Sequence, residues 1–313
     1  MNVRKALSPV VVFSVVATCV SVAGEAESAR EGGLKVPFKL ERKRVVIPTG
    51  VNGSRTFGLI LDTGMPFDGA YLFHKEFAND IDMSEAIEVR VPGAGAGEAS
   101  TALMIESGTL TFGEVAVDSQ RVIIAQSFHT QGFPSDGVMG WNLFGHYAVK
   151  IDYDAEMITL FDTAGFAADS TWTAIPISLR NNTAFIEGVL EVVEGEKVPV
   201  SLYIDLASDE ALELLLRPGQ KFTAPEGQPE SYLGTGLSGD IHGTRGEVKQ
   251  LSVDGFALHE IPTAFAPANV RSKQEDADGV LGNDFIRRFN VIFDYAHELL
   301  YLKPNKTYRA AFD

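Results

Sequence analysis

Cysteine is all but missing from this chain of 313 residues: Cys19 is the only one. Its scarcity removes disulfides and thiolate metal sites as sources of stability, and a cysteine nucleophile as a source of chemistry. Histidine is scarce too. The six, at positions 74, 129, 146, 242, 259 and 297, show no His-Glu-x-x-His or other paired ligand spacing, so no metal site is expected. There is no Gly-x-Ser-x-Gly elbow to present a serine nucleophile. Positive charge is in deficit: 26 Lys and Arg against 42 Asp and Glu leave a net charge of -16. That balance argues against nucleic acid or an anionic membrane surface as a partner. The mostly apolar run 10–22 is too short and too interrupted for an integral membrane span.

That same run has a different reading. It follows Arg4 and Lys5 and ends in Ser21-Val22-Ala23 before Gly24. A positive start, a short apolar core and small residues before a cut form a secretory signal peptide, here 1–23, with 24–34 as a flexible leader. The expected location is periplasmic or extracellular. Cys19 leaves with the signal, so core packing alone must stabilise the rest, and 45% hydrophobic residues are enough for that.

What the chain does contain is a copy of itself. Residues 136–153 read DGVMGWNLFGHYAVKIDY, and residues 278–295 read DGVLGNDFIRRFNVIFDY. Gly137 aligns with Gly279, Gly140 with Gly282, and Asp152-Tyr153 with Asp294-Tyr295, all at an offset of 142. Upstream, FGLILDTG matches VSLYIDLA, with Asp62 opposite Asp205 at an offset of 143. Two blocks with nearly one offset indicate a tandem duplication, with lobes at 35–168 and 169–313.

Each copy runs in the same order. Alternating strands lead to an apolar strand ending in aspartate, then a short helix-like piece at 74–79 or 208–216. A Gly-rich segment, more alternating strands, the Gly-Val-x-Gly block with a short helix and a closing hairpin follow. Short alternating segments between turn residues predict two all-β lobes. The Gly-rich stretch 91–100 lacks dinucleotide-loop spacing, and the preceding Ile87-Glu88-Val89-Arg90-Val91 alternates as a hairpin strand does. Asp68, Asp136, Asp152, Asp278 and Asp294 read as turn, capping or other structural residues.

An apolar strand ending in Asp62-Thr63-Gly64, a Gly-rich hairpin, Val138-Met139-Gly140 and a short helix, all repeated, resemble the aspartic proteases, both pepsin-like and retropepsin-like. The resemblance implies two tandem β-barrel lobes related by a pseudo-twofold axis. It implies Asp62 and Asp205 as the catalytic pair, supported by Thr63, Gly64, Ser208, Gly140 and Gly282. The flap hairpins over a peptide or protein substrate would carry Gly93, Gly95, Gly97, Gly234 and Gly236. No metal or organic cofactor is required, and a monomer suffices. The chemistry is coherent on its own terms. Two adjacent carboxylates cannot both ionise, so they share a proton and supply an acid and a base together.

The second motif departs from that pattern. Asp205 is followed by Leu206-Ala207-Ser208, so Leu206 cannot supply the hydroxyl that braces the two loops in the family, and Ala207 adds a Cβ where glycine is usual. Ser208 stands where a hydroxyl commonly bonds the outer carboxylate oxygen. Three readings therefore stay open: an aspartic endopeptidase, a pseudoprotease that binds peptides or proteins in the same cleft, and a first lobe that dimerises through Asp62.

Overall fold

A computed structural model describes residues 32–312 apart from 96, 127–134, 221 and 272–275. The signal segment, Cys19, His129 and most of the leader lie outside the described residues; strand pairing already begins at Leu34, the leader's last residue.

The first copy contains β1 (Leu34–Pro37), β2 (Lys39–Glu41), β3 (Arg44–Val51), β4 (Thr56–Leu61), β5 (Gly69–Leu72), β6 (Ile87–Val91), β7 (Ser100–Phe112), β8 (Val115–Ala125), β9 (Gly137–Met139), α1 (Trp141–Phe144), β10 (Tyr147–Asp152) and β11 (Met157–Asp162). The second contains β12 (Thr173–Pro176), β13 (Ser178–Arg180), β14 (Thr183–Glu191), β15 (Lys197–Asp205), β16 (Leu212–Leu216), β17 (Glu230–Gly236), β18 (Gly239–Val253), β19 (Phe256–Pro267), β20 (Gly279–Gly282), α2 (Asn283–Ile286), β21 (Phe289–Asp294) and β22 (Leu299–Pro304).

The two lobes have one topology. The first sheet runs β2-β3-β4-β9-β5-β8-β7-β6 and the second β13-β14-β15-β20-β16-β19-β18-β17, position for position. Extra pairings of β3 with β7 and of β14 with β18 close six strands of each sheet into a barrel. A third sheet, β1-β11-β10-β21-β22-β12, takes three strands from each copy. At its centre Lys150 lies opposite Ile292, its own partner at the repeat offset of 142, so a pseudo-twofold axis passes there. The expected two-barrel, all-β architecture is present.

Apolar patterning explains the central strands. Phe57, Leu59, Ile60 and Leu61 of β4 are all fully buried, because β4 runs between β3 and β9 with side chains covered on both faces. Strand β6 alternates in sequence and stays mostly exposed. Matched aspartates pin the repeats: Asp136 accepts the Gly58 N–H at 2.8 Å and Asp278 the Ser201 N–H at 2.9 Å. Asp152 closes its turn by accepting from Asp154 and Ala155. Asp294 is buried against His297 and Asp68 contacts His146, so all five act structurally.

One element differs from expectation. Residues 208–216, read as helix-like, become a turn and the strand β16, while its counterpart segment does form a 3-10 turn at Lys75–Asn79. Leucine and glutamate favour helix locally, but Leu212, Leu214 and Leu215 are buried between β19 and β20, and that pairing overrides propensity. Among the described residues no helix is long and apolar enough to cross a membrane.

Candidate active site

The strand β4 pairs in parallel with β9, which brings Leu61 beside Met139 and therefore Asp62 beside Gly140. The Asp62 N–H donates to the Met139 carbonyl at 2.8 Å, which fixes the residue at the strand end. A Cβ on Gly140 would lie 1.9 Å from the Asp62 carbonyl oxygen, so only glycine permits this crossing. The Gly64 N–H donates to Asp62 Oδ1 at 2.6 Å. A Cβ on Gly64 would press on that oxygen at 3.1 Å and on the Tyr203 hydroxyl at 3.2 Å.

Thr63 crosses to the other lobe. Its buried hydroxyl donates to the Ile204 carbonyl at 2.7 Å and accepts from the Leu206 N–H at 3.1 Å, the residues flanking Asp205. The brace is one-sided, as the Leu206 side chain foretells: it packs fully buried in the core and offers no hydroxyl in return.

Asp205 ends β15 and is 6% exposed. Its Oδ1 accepts from the Ala207 N–H at 2.9 Å, so the loop closes despite the added Cβ. Its Oδ2 accepts from the Tyr203 hydroxyl at 2.7 Å and faces Arg271 Nη1 at 3.5 Å. Ser208 does not fill the role expected of it: its hydroxyl accepts from the Glu210 N–H at 3.4 Å. Tyr203 takes the place beside the carboxylate. Gly282 is needed nearby, since a Cβ there would meet the Glu210 carbonyl at 2.1 Å and Ser208 Oγ at 3.1 Å.

Three residues at this site were not identified from sequence: Tyr203, Arg271 and Glu213. Tyr203 lies two residues before Asp205 on a strand, hence on the same face, which was a legible signal. Glu213 interrupts an otherwise all-leucine strand, a second signal. Arg271, which binds Glu213 through Nε at 2.9 Å and Nη2 at 3.1 Å, ends a short 3-10 turn and carries no local signature.

Electrostatics marks Asp62. Burial, and then the charge of Asp205, push the Asp62 carboxyl up from 3.8 to about 7, against the opposing pull of the Gly64 N–H and Arg271. The Tyr203 phenol is raised well above its ordinary value by burial and by Asp205, so it remains a donor. For Arg271, burial alone would favour loss of charge, but Glu213, Tyr203 and Asp205 outweigh it and hold the guanidinium ionised.

The glycine segments meet above these residues. Gly93, Gly95 and Gly97 lie in the loop joining β6 to β7, and Gly234 and Gly236 lie on β17. The hairpin tips interlock: Gly93 N–H donates to Ser238 Oγ at 3.1 Å, Gly97 N–H to the Ser238 carbonyl at 2.6 Å, and Ser238 N–H to the Ala94 carbonyl at 2.8 Å. Gly95 has φ +121 and Gly236 abuts the Ala94 carbonyl, so neither position has room for a side chain. Gly234, at φ +151, marks the irregularity in the β17–β18 register. Below the tips lies a cleft of about 1720 Å³ lined from both lobes, including Asp62, Met65, Phe73, Tyr203, Asp205 and Arg271. Among the described residues no cluster of His, Cys, Asp and Glu could hold a metal ion.

The chain is similar in structure to the aspartic proteinase from Irpex lacteus, with a TM-score of 0.56 and 13% sequence identity over 90% of this chain and 100% of that one. At that identity the likeness defines the fold, the bilobal architecture of a pepsin-like aspartic proteinase. No protein-family model matches the chain, and no curated protein matches it by sequence.

Proposed function

We propose that the protein is an exported, monomeric aspartic endopeptidase that cleaves an extended peptide or protein substrate lying in the interlobe cleft. The observation that carries this reading is the Thr63 hydroxyl, which ties the Asp62 loop of one lobe to the residues on either side of Asp205 in the other, so both carboxylates open into one cleft. Asp62, raised to about 7, holds the shared proton; Asp205, with donors on both oxygens, is the acceptor.

In the addition step, water attacks the scissile carbonyl carbon and gives a proton to Asp205, while Asp62 gives its proton to the carbonyl oxygen. In the collapse step, Asp205 returns its proton to the leaving nitrogen, and one hydroxyl of the tetrahedral diol re-protonates Asp62 as the C–N bond breaks. Each carboxyl ends as it began, and no metal or cofactor enters. The backbone of the flap hairpins is suited to pair with the substrate strand.

A second reading, a pseudoprotease that binds peptides without cutting them, is favoured by one observation: Asp205 Oδ2 is already engaged by Tyr203 and faces Arg271. Incubating the protein, Asp62→Asn and Asp205→Asn with a diverse peptide library from acid to neutral pH separates the readings. Cleavage by the wild type that both substitutions abolish supports the peptidase. Loss with Asp62→Asn alone points to a dimer or a single working carboxylate. Peptide capture without cleavage at any pH supports the binding module.

A further inference from the structure

The floor of the cleft breaks the twofold symmetry of the fold at two equivalent places. Ile60 of β4 and Tyr203 of β15 occupy the same register, one opposite Val138 and the other opposite Val280. Tyr71 of β5 and Glu213 of β16 are matched in the same way, again opposite Val138 and Val280. The second lobe has thus placed a phenol and a carboxylate where the first has an aliphatic chain and a phenol. A carboxylate only 4% exposed is costly unless it is paired, and Arg271 pairs Glu213 through a two-bond fork. That fork leaves Nη1 turned towards Asp205 Oδ2 at 3.5 Å, and the Tyr203 ring lies 5.9 Å from the guanidinium carbon. Glu213 therefore orients a fixed positive charge beside one of the two aspartates.

We propose that Arg271, oriented by Glu213, is a positioning residue that makes the aspartate pair unequal: its charge holds Asp205 as the proton acceptor and leaves the shared proton on Asp62. The inference rests on the two-carboxylate reading of the site. Other ionisable groups line the cleft around the pair, among them Arg42, His74, Lys75, Glu76, Arg180 and Asp240. Tyr203 from β15 and Tyr295 from the turn after β21 are phenols raised far from titration, mainly by burial, and stay neutral. Arg44 with Asp209 and Arg245 with Glu210 line the cleft as closed ion pairs, and Asp276 lines it as well. Arg271 is thus the cation that directly contacts a member of the pair among the described residues. The positive charge lowers both proton-loss steps of the pair, so it extends the singly ionised form towards acid pH, against burial and mutual repulsion, which raise Asp62.

The test compares wild type, Arg271→Lys, Arg271→Met and the paired Arg271→Met/Glu213→Leu, which removes both charges without stranding either. Two quantities are read against pH: kcat/KM on a peptide from the library, and the carboxyl ¹³C titration of aspartate-labelled protein. Loss of the cation raises both proton-loss steps, so both limbs of the rate profile and the carboxyl titrations move to higher pH. The expected shift in Arg271→Met is about one pH unit or more. The paired variant moves the same way by less, and Arg271→Lys returns the limbs towards their wild-type positions. Profiles and titrations that coincide in wild type and the paired variant would overturn the proposal, as would a shift in Arg271→Lys equal to that in Arg271→Met. If the wild type cleaves nothing, the peptidase reading fails by itself; the carboxyl titration still decides whether Arg271 sets the proton's place.

Discussion

Thr63 carries more of the site than its size suggests, because one hydroxyl serves a carbonyl and an N–H on either side of Asp205. Thr63→Val keeps the shape and orphans both buried partners, so urea unfolding should show a loss of about 1–3 kcal/mol, with Thr63→Ser losing less. Asp62 makes a second prediction. Its folded value, raised from 3.8 to about 7, means that the folded state binds more protons than the unfolded state between those pH values. The contribution is therefore fully present below about pH 4 and is lost as pH rises through 7. Asp62→Asn removes the titration, so its melting temperature relative to wild type should rise with pH across that window. The gain at pH 8 is on the order of 2–4 kcal/mol and vanishes below pH 4. At this scale sequence was informative where the repeat preserved a residue and uninformative where it did not. Asp62 and Asp205 stand where the duplication placed them, whereas Thr63, opposite Leu206 in the second copy, was legible only through the resemblance of its motif. Ser208 was misjudged because position alone does not say which neighbour a short hydroxyl will face, and Arg271 approaches from a turn that shares no motif with the site.

The elements that hold the aspartates depend on backbone proximity. Gly140→Ala places a methyl 1.9 Å from the Asp62 carbonyl oxygen, and the strand cannot yield without moving Asp62 itself. The expected result is a loss of at least about 3 kcal/mol, or no folded protein, measured by denaturant unfolding. Gly95→Ala acts elsewhere. At φ +121, with a Cβ 2.5 Å from the Ser238 carbonyl carbon, the substitution separates the flap tips while leaving both barrels intact. Limited proteolysis should then cut the tips faster, and peptide turnover should fall mainly through KM, with thermal unfolding little changed. The glycines of the two hairpin tips were readable as hairpins from their alternating flanks. Their mutual contact was not, because residues 145 positions apart leave no periodic trace. The strand β16 was hidden for a similar reason: its leucines satisfy a helix and a buried strand equally, and only β19 and β20 decide between them.

At the level of the molecule, duplication explains why two carboxylates converge. The same strand order, barrel closure and aspartate position occur twice, and the shared sheet sets the copies about an axis near Lys150. That architecture was legible because Gly137, Gly140, Asp152 and Tyr153 recur with one spacing. The departures from symmetry were harder to read, since Tyr203, Glu213 and Leu206 look like ordinary drift until the register shows what they face. On the proposed reading Asp62 and Asp205 work as one unit. The most direct measurement is kcat/KM for wild type, Asp62→Asn, Asp205→Asn and the double variant on a single cleaved peptide. A shared-proton pair loses nearly everything with either substitution, and the double variant is scarcely worse than each single one. Losses that add independently, or substantial activity in either single variant, would rule out a shared-proton pair.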